Sequence, residues 1–201
     1  MSKIGIMGGS FNPIHNGHLA LGEYVMSELA LDEVWFVPTG CSYMKADVDM
    51  VPGDYRLEMT RLATDSNDKM KSLDIEVKRD GYTYTYETAE QLKKEHPTDE
   101  FYYIYGADCL FDFEKWKFPD RIFASCTIVV NVRNGASVEM MQKKIEELQE
   151  KFHAKILLLP FYNLEISSTE LRKRIGEGKS VRYLVPDAVI SYIEEKGFYR
   201  S

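Results

Sequence analysis

Cysteine is scarce in this chain, with 3 among 201 residues. Cys41, Cys109 and Cys126 lie far apart and form no C-x-x-C or Cys/His spacing. That excludes a disulfide-stapled scaffold and argues against a structural zinc site. Long apolar runs are absent too. None approaches the ~20 consecutive residues of a membrane span, and the opening Met-Ser-Lys-Ile-Gly-Ile-Met holds too short an apolar run for a secretory leader. A cytoplasmic, reducing setting is therefore expected. Net positive charge is lacking as well: 25 Lys+Arg stand against 32 Asp+Glu, a formal charge of −7. Such a balance speaks against coating duplex DNA or an anionic membrane, but leaves room for a small polyanion in a local basic pocket. There is no internal repeat or low-complexity tract. With 44% hydrophobic and 28% charged residues the chain reads as an ordinary globular protein, and its length suits one domain over residues 1–201.

What is present is an alternation of short apolar runs with helical patterns. Ile4–Met7 reads as a buried strand ending at Gly8-Gly9, and His18–Leu31 as a helix with Leu19, Leu21, Val25, Met26 and Leu29 on one face. Val34–Val37 reads as a strand stopped by Pro38-Thr39-Gly40, and Tyr55–Ala63 as a helix. The strict alternation Leu73-Asp74-Ile75-Glu76-Val77 predicts a half-exposed strand. Thr85–Glu95 predicts a helix, Phe101–Tyr105, Thr127–Val132 and Ile156–Leu159 predict strands, and Val138 to Phe152 an amphipathic helix. Helices near Ser168–Ile175 and Pro186–Glu195 close the chain. Strand and helix in turn define an α/β fold, a Rossmann-like doubly wound parallel sheet in a single domain. Ligands of such sheets bind at the carboxyl ends of the strands, so chemistry is sought just after each strand.

After the first strand stands Gly8-Gly9-Ser10-Phe11-Asn12-Pro13-Ile14-His15-Asn16-Gly17-His18. The glycines allow close backbone approach, and two imidazoles at a helix start add hydrogen-bonding capacity to the positive end of the helix, a place for phosphate. It is neither a G-x-G-x-x-G fingerprint nor a Walker A loop. Capping or packing of the helix start is the alternative, and metal ligation lacks a third ligand nearby. Near the other end, Ile166-Ser167-Ser168-Thr169-Glu170-Leu171-Arg172 reads as a capping box from Ser167 to Glu170 and, compatibly, as an anion site. Lys173 and Arg174 add charge there or are simply solvated.

The first of these segments resembles the H-x-G-H signature of the nucleotidylyltransferase superfamily, and GGSFNPIHNGHL looks most like the bacterial nicotinate-nucleotide adenylyltransferase family. The second resembles that family's ISSTxxR motif. The resemblance implies that His15 and His18 touch ATP phosphates and stabilise the transition state, with Lys45 and Arg172 as further catalytic cations. It implies ATP contacts from Gly8, Gly9, Ser10, Phe11, His18, Gly106, Asp108, Arg133, Ile166, Ser168, Thr169 and Arg172. For the mononucleotide it implies Tyr84, Thr85, Asp108, Trp116 and Lys117, through Gly106-Ala107-Asp108 with its downstream Trp-Lys and through Arg79-Asp80-Gly81-Tyr82-Thr83-Tyr84-Thr85. By the same resemblance Trp116 would stack on the pyridine ring and the neighbouring backbone, at Lys117, would read the ring's carboxylate. Taken without the resemblance, Trp116 is equally an ordinary aromatic, the tyrosines are packing residues, and Arg133 is a solvated strand end. The chain departs from the family at Asn12 (usually Asp), at Thr83 and Glu87 (Ser and Asp), and at Tyr43-Met44 before Lys45, where Pro-His is usual. Matches run from about residue 3 to 185, including Tyr183-Leu184-Val185-Pro186. The implied activity is transfer of AMP from ATP to nicotinate mononucleotide, with Mg²⁺ carried by ATP rather than by a metal site of the protein. The implied partners are ATP and nicotinate mononucleotide, with no nucleic acid and no membrane; a homo-oligomer is left open.

Overall fold

The structure is a computed structural model and describes residues 1–42, 50–132, 137–160 and 164–200. In chain order it comprises β1 (Lys3–Gly9), α1 (Asn16–Glu28), β2 (Glu33–Pro38), β3 (Cys41–Ser42), α2 (Gly53–Thr64), β4 (Met70–Ser72), β5 (Tyr82–Thr83) and α3 (Thr85–Glu95). There follow β6 (Glu100–Gly106), α4 (Ala107–Leu110), a 3₁₀ turn Phe113–Lys115, α5 (Pro119–Ser125), β7 (Thr127–Val132), α6 (Val138–Phe152), β8 (Ile156–Pro160), α7 (Ser168–Gly176) and α8 (Asp187–Lys196).

Six strands form one parallel sheet in the order β4-β2-β1-β6-β7-β8. The chain therefore winds outward from β1 in one direction, returns to β6, and winds outward in the other. The reversal lies between β1 and β6, where a crevice opens at the carboxyl edge. Both faces of the central strands are covered, which explains their nearly continuous apolar runs. Ile4, Ile6, Tyr103, Ile128 and Val130 face a core completed by α3, α5 and α6, while Met7, Ile104 and Val129 face one completed by α1, α7 and α8. On α6, Met141, Ile145 and Leu148 form the buried stripe that the periodicity predicts, and Ser137 caps its start by accepting from Met140 N–H at 3.3 Å.

The predicted strand over Leu73–Val77 is not formed. Leu73 N–H still reaches Phe36 C=O at 2.9 Å, but the chain then closes into turns, with Lys78 N–H on Asp74 C=O at 2.9 Å and Arg79 N–H on Glu76 C=O at 3.2 Å. Leu73 and Ile75 pack on the core from this turn, so the alternation served burial without a ladder partner. The segment instead brings Glu76 to Gly40: a Cβ at Gly40 would sit 2.2 Å from Glu76 O, a contact that only glycine permits. Helix α5, absent from the periodicity reading, starts with Pro119 at its first position after a left-handed Phe118 (φ 52°).

Candidate active site

The carboxyl edge of the sheet carries two differently built regions on either side of the loop after β1. On one side lies a cavity of about 340 Å³ bounded by Gly8, Gly9 and Ser10, by Val37 and Thr39 at the end of β2, and by Tyr103 and Tyr105 of β6. The rest of its wall includes Glu76, Thr83, Tyr84, Thr85, Trp116 and Lys117. A Cβ at Gly8 would meet nothing within 4 Å, so the space over that residue is open to a ligand, whereas one at Gly9 would stand 2.9 Å from the Phe11 ring. Gly9 is thus required by packing and Gly8 is where a ligand can approach the backbone.

The cavity is aromatic. Trp116 stands edge-on to Tyr105 with centroids 5.3 Å apart and packs on Phe113 at 4.9 Å. Lys117 Nζ lies 4.0 Å above the Tyr84 ring, a cation–π contact at the mouth. The Thr85 and Tyr105 hydroxyls are hydrogen-bonded to each other. Behind this wall Arg79 Nη1 donates to Thr88 Oγ1 at 3.1 Å, and Thr88 Oγ1 donates to Glu76 Oε1 at 2.9 Å, so the turn after β4 is fastened to α3. Burial raises the Glu76 carboxyl above its ordinary range, opposed by these hydrogen bonds and by Arg79.

On the other side of the loop stand the histidines. His15 is the N-cap of α1, and His18 lies one turn in. Their rings stack at 3.6 Å, and the His15 backbone N–H donates to His18 Nδ1 at 3.2 Å. A nitrogen that accepts carries no proton, so neutral His18 holds its proton on Nε2. Capping and proton donation therefore fall to different nitrogens of His18. His15 is buried at 5% exposure, and desolvation holds its imidazole down to about 4. Of a cationic and a hydrogen-bonding imidazole at this position, burial favours the second for His15 near neutral pH.

Arg172 comes to the same loop from α7, its Nη1 donating to Asn12 C=O at 2.9 Å and its Nη2 to Thr169 Oγ1 at 3.4 Å. Ser168 Oγ donates to Pro13 C=O at 2.9 Å. Residues 155 or more positions apart in sequence are thereby joined. The predicted capping box is not formed: Ser167 is the N-cap, yet its side chain makes no capping hydrogen bond. Lys173 is exposed, and Arg174 is engaged by Ser180 C=O at 2.9 and 3.2 Å. Phe11, expected beside ATP, is 2% exposed and packs on Phe36 and the edge of His18, so its side chain belongs to the core. Gly106 and Asp108 stand at the end of β6, with Asp108 exposed, and Ile166 is half-buried against the α1 core. Lys45 and Arg133 lie outside the described residues, as does the Tyr43-Met44 departure.

Two residues that the sequence reading passed over hold these loops together. Arg56, on the buried face of α2, is 3% exposed; its guanidinium donates to Val51, Ser10 and Thr39 carbonyls at 2.8, 2.7 and 2.7 Å. Tyr199, with φ 63°, donates to Asn12 Oδ1 at 2.7 Å. A cation placed on the apolar stripe of α2 with Leu57, Met59, Thr60 and Ala63 was the available signal for Arg56; Tyr199 had none.

The donor set of this edge, imidazoles, guanidinium and hydroxyls, suits phosphate oxygens. Among the described residues no group of three or more His, Cys, Asp or Glu side chains is placed to cage a metal. A magnesium ion at this edge would have Asp108 as the exposed carboxylate at hand. No helix among the described residues is long and apolar enough to cross a membrane.

A parallel sheet reversing between β1 and β6, with a phosphate-suited loop on one side and an aromatic cavity on the other, is the frame of a nucleotide-handling enzyme. Residues 6–174 match the cytidylyltransferase-like family, and the chain belongs to it. Its relatives are more particular. The chain is 42% identical to a protein of Lachnoclostridium phytofermentans over 99% of its length and all of that protein's, and 38% identical to one of Clostridium tetani over the full length of both. Each of these is named "Probable nicotinate-nucleotide adenylyltransferase". Its fold is also similar to that of the Plasmodium falciparum nicotinic acid mononucleotide adenylyltransferase complexed with NaAD, with a TM-score of 0.80 at 23% identity over 99% of this chain and 98% of that one.

Proposed function

We propose that this enzyme transfers the adenylyl group of ATP to nicotinate mononucleotide, giving nicotinate adenine dinucleotide and pyrophosphate. The observation that carries the reading is the shared loop: Gly8, Gly9 and Ser10 border the aromatic cavity, and the residues directly after them carry His15, His18 and the Arg172 contact. Two substrates on either side of one loop meet at its backbone. A phosphate oxygen of the mononucleotide attacks the α-phosphorus, the bond from that phosphorus to the bridging oxygen breaks, and pyrophosphate leaves with the electron pair. An ionised phosphate needs no general base, so the protein's contribution is positioning and charge stabilisation. His18 Nε2–H and Arg172 donate to the phosphates, His15 supplies a neutral imidazole beside them, and Ser168 and Thr169 complete the cradle. Lys45 and Arg133 are proposed as further phosphate contacts. Asp108 is assigned to a ribose hydroxyl. Trp116 stacks on the pyridine ring, and Tyr84, Thr85 and Lys117 line its pocket. Magnesium, bound by the phosphates, offsets part of their charge when ATP is present. A cytoplasmic setting belongs to the same proposal.

Pyrophosphate release from ATP, measured with nicotinate mononucleotide, nicotinamide mononucleotide and phosphopantetheine in turn, tests this. Release with the first is expected. Release only with another acceptor reassigns the substrate, and none with any acceptor makes the chain a nucleotide-binding module.

A further inference from the structure

Two buried polar atoms in the wall of the aromatic cavity have no hydrogen-bond partner: Tyr103 Oη and Trp116 Nε1. Tyr103 is 3% exposed, so its hydroxyl has given up water without gaining a partner in the protein, a state that costs free energy unless a ligand completes it. Tyr105 stands between the two, its centroid 6.0 Å from Tyr103 and 5.3 Å from Trp116, but its own hydroxyl is engaged with Thr85. The acid on the cavity wall, Glu76, is already used: Thr88 Oγ1 donates to it at 2.9 Å, the Gly40 N–H hydrogen-bonds it, and Arg79 stands behind. What the wall holds in reserve is therefore donors. A phenol donates more readily than it accepts, an indole nitrogen only donates, and a donor hydrogen bond to an ionised acceptor is about twice as strong as one to a neutral acceptor. With Lys117 at the mouth, the cavity suits a ring substituent that is acceptor-only and negative.

We propose that Tyr103 is a specificity-determining residue of this site, its hydroxyl donating to the pyridine carboxylate and thereby favouring the acid mononucleotide over its amide. The inference rests on the adenylyl-transfer reading and names a determinant within it. Steady-state pyrophosphate release by the wild type and Tyr103→Phe, with the acid and the amide mononucleotide, tests it. Losing one hydrogen bond to a charged group is worth roughly tenfold or more. Tyr103→Phe is therefore expected to lower kcat/KM for the acid about tenfold, through KM, and that for the amide, whose carbonyl is a neutral acceptor, only about threefold. The melting temperature should hold or rise, because the hydroxyl bonds nothing in the free protein. Equal losses on both acceptors, a fall in melting temperature, or no change on either would overturn the assignment. The wild-type arm keeps the two ideas separate: absent turnover there refutes the adenylyl-transfer reading itself, and the assignment with it, whereas normal wild-type turnover with an unchanged acid-to-amide ratio in the variant refutes Tyr103 alone.

Discussion

Replacing Arg56 by Met tests whether one buried guanidinium holds the substrate loops in register. Its three hydrogen bonds reach the loop after β1 at Ser10, the β2 turn at Thr39 and Val51 just before α2, each at 2.7–2.8 Å. The Val51 N–H also donates to Asn12 Oδ1 at 3.4 Å, so that residue is held by both of its backbone groups. Met keeps much of the apolar stem but leaves three carbonyls without this donor. A stranded buried acceptor costs about 1–3 kcal/mol, offset in part because a charge no longer has to be desolvated. A net loss of about 3–5 kcal/mol results, a large share of the ~5–15 kcal/mol that stabilises a typical domain. Urea unfolding at pH 7 reads it as a lower midpoint at unchanged slope. Arg56→Lys keeps the charge without the planar fork and should recover about half of the loss. Because Ser10 and Thr39 line the cavity, the KM for the mononucleotide should rise in both variants even at temperatures where they remain folded. A stability loss below about 1 kcal/mol together with an unchanged KM would refute the tether.

Other consequences are narrower. His18→Ala should lower kcat by about 10²–10³, the usual effect of removing one transition-state donor, with only about 1 kcal/mol of stability lost through the missing cap; near-normal turnover removes its assigned role. His15 should make the free protein acid-sensitive. Its folded pKa, about 4, lies below the unfolded value of 6.5, so its contribution is complete above pH 6.5 and is lost as pH falls through that value toward 4. The linkage amounts to about 3 kcal/mol, visible as a shallower pH dependence of unfolding in His15→Gln; identical profiles for the two proteins contradict the buried neutral imidazole. Trp116→Ala should raise the KM for the mononucleotide at least tenfold through lost stacking while leaving that for ATP within about twofold, an aromatic contact being worth about 1 kcal/mol beyond its area. Equal effects on both substrates would place Trp116 in the core only.

Much of this architecture was legible because buried parallel strands announce themselves as short apolar runs. Ile4–Met7, Val34–Val37, Phe101–Tyr105, Thr127–Val132 and Ile156–Leu159 all became strands of the one sheet. Alternation misled at Leu73–Val77, where leucine and isoleucine are buried by a turn rather than a ladder. Helix α5 is too short for a period, and its Pro119 was the cue. For the candidate site, the two terminal motifs named His15, His18, Ser168 and Arg172, and the fold brings those two segments together. Burial is a tertiary property, so sequence did not separate neutral His15 from a cationic histidine, nor Gly9 as packing from Gly8 as open space. Arg56 and Tyr199 act through partners distant in the chain, the farthest 187 positions away, and no local pattern encodes such pairings.

The most direct measurement follows the phosphorus atoms during turnover. With ATP, magnesium and nicotinate mononucleotide, ³¹P NMR should show the dinucleotide's phosphoanhydride and free pyrophosphate appearing in equal amounts as ATP and the mononucleotide disappear. Formation of ADP or inorganic phosphate instead, or ATP left intact beside the acceptor, would contradict adenylyl transfer at this edge.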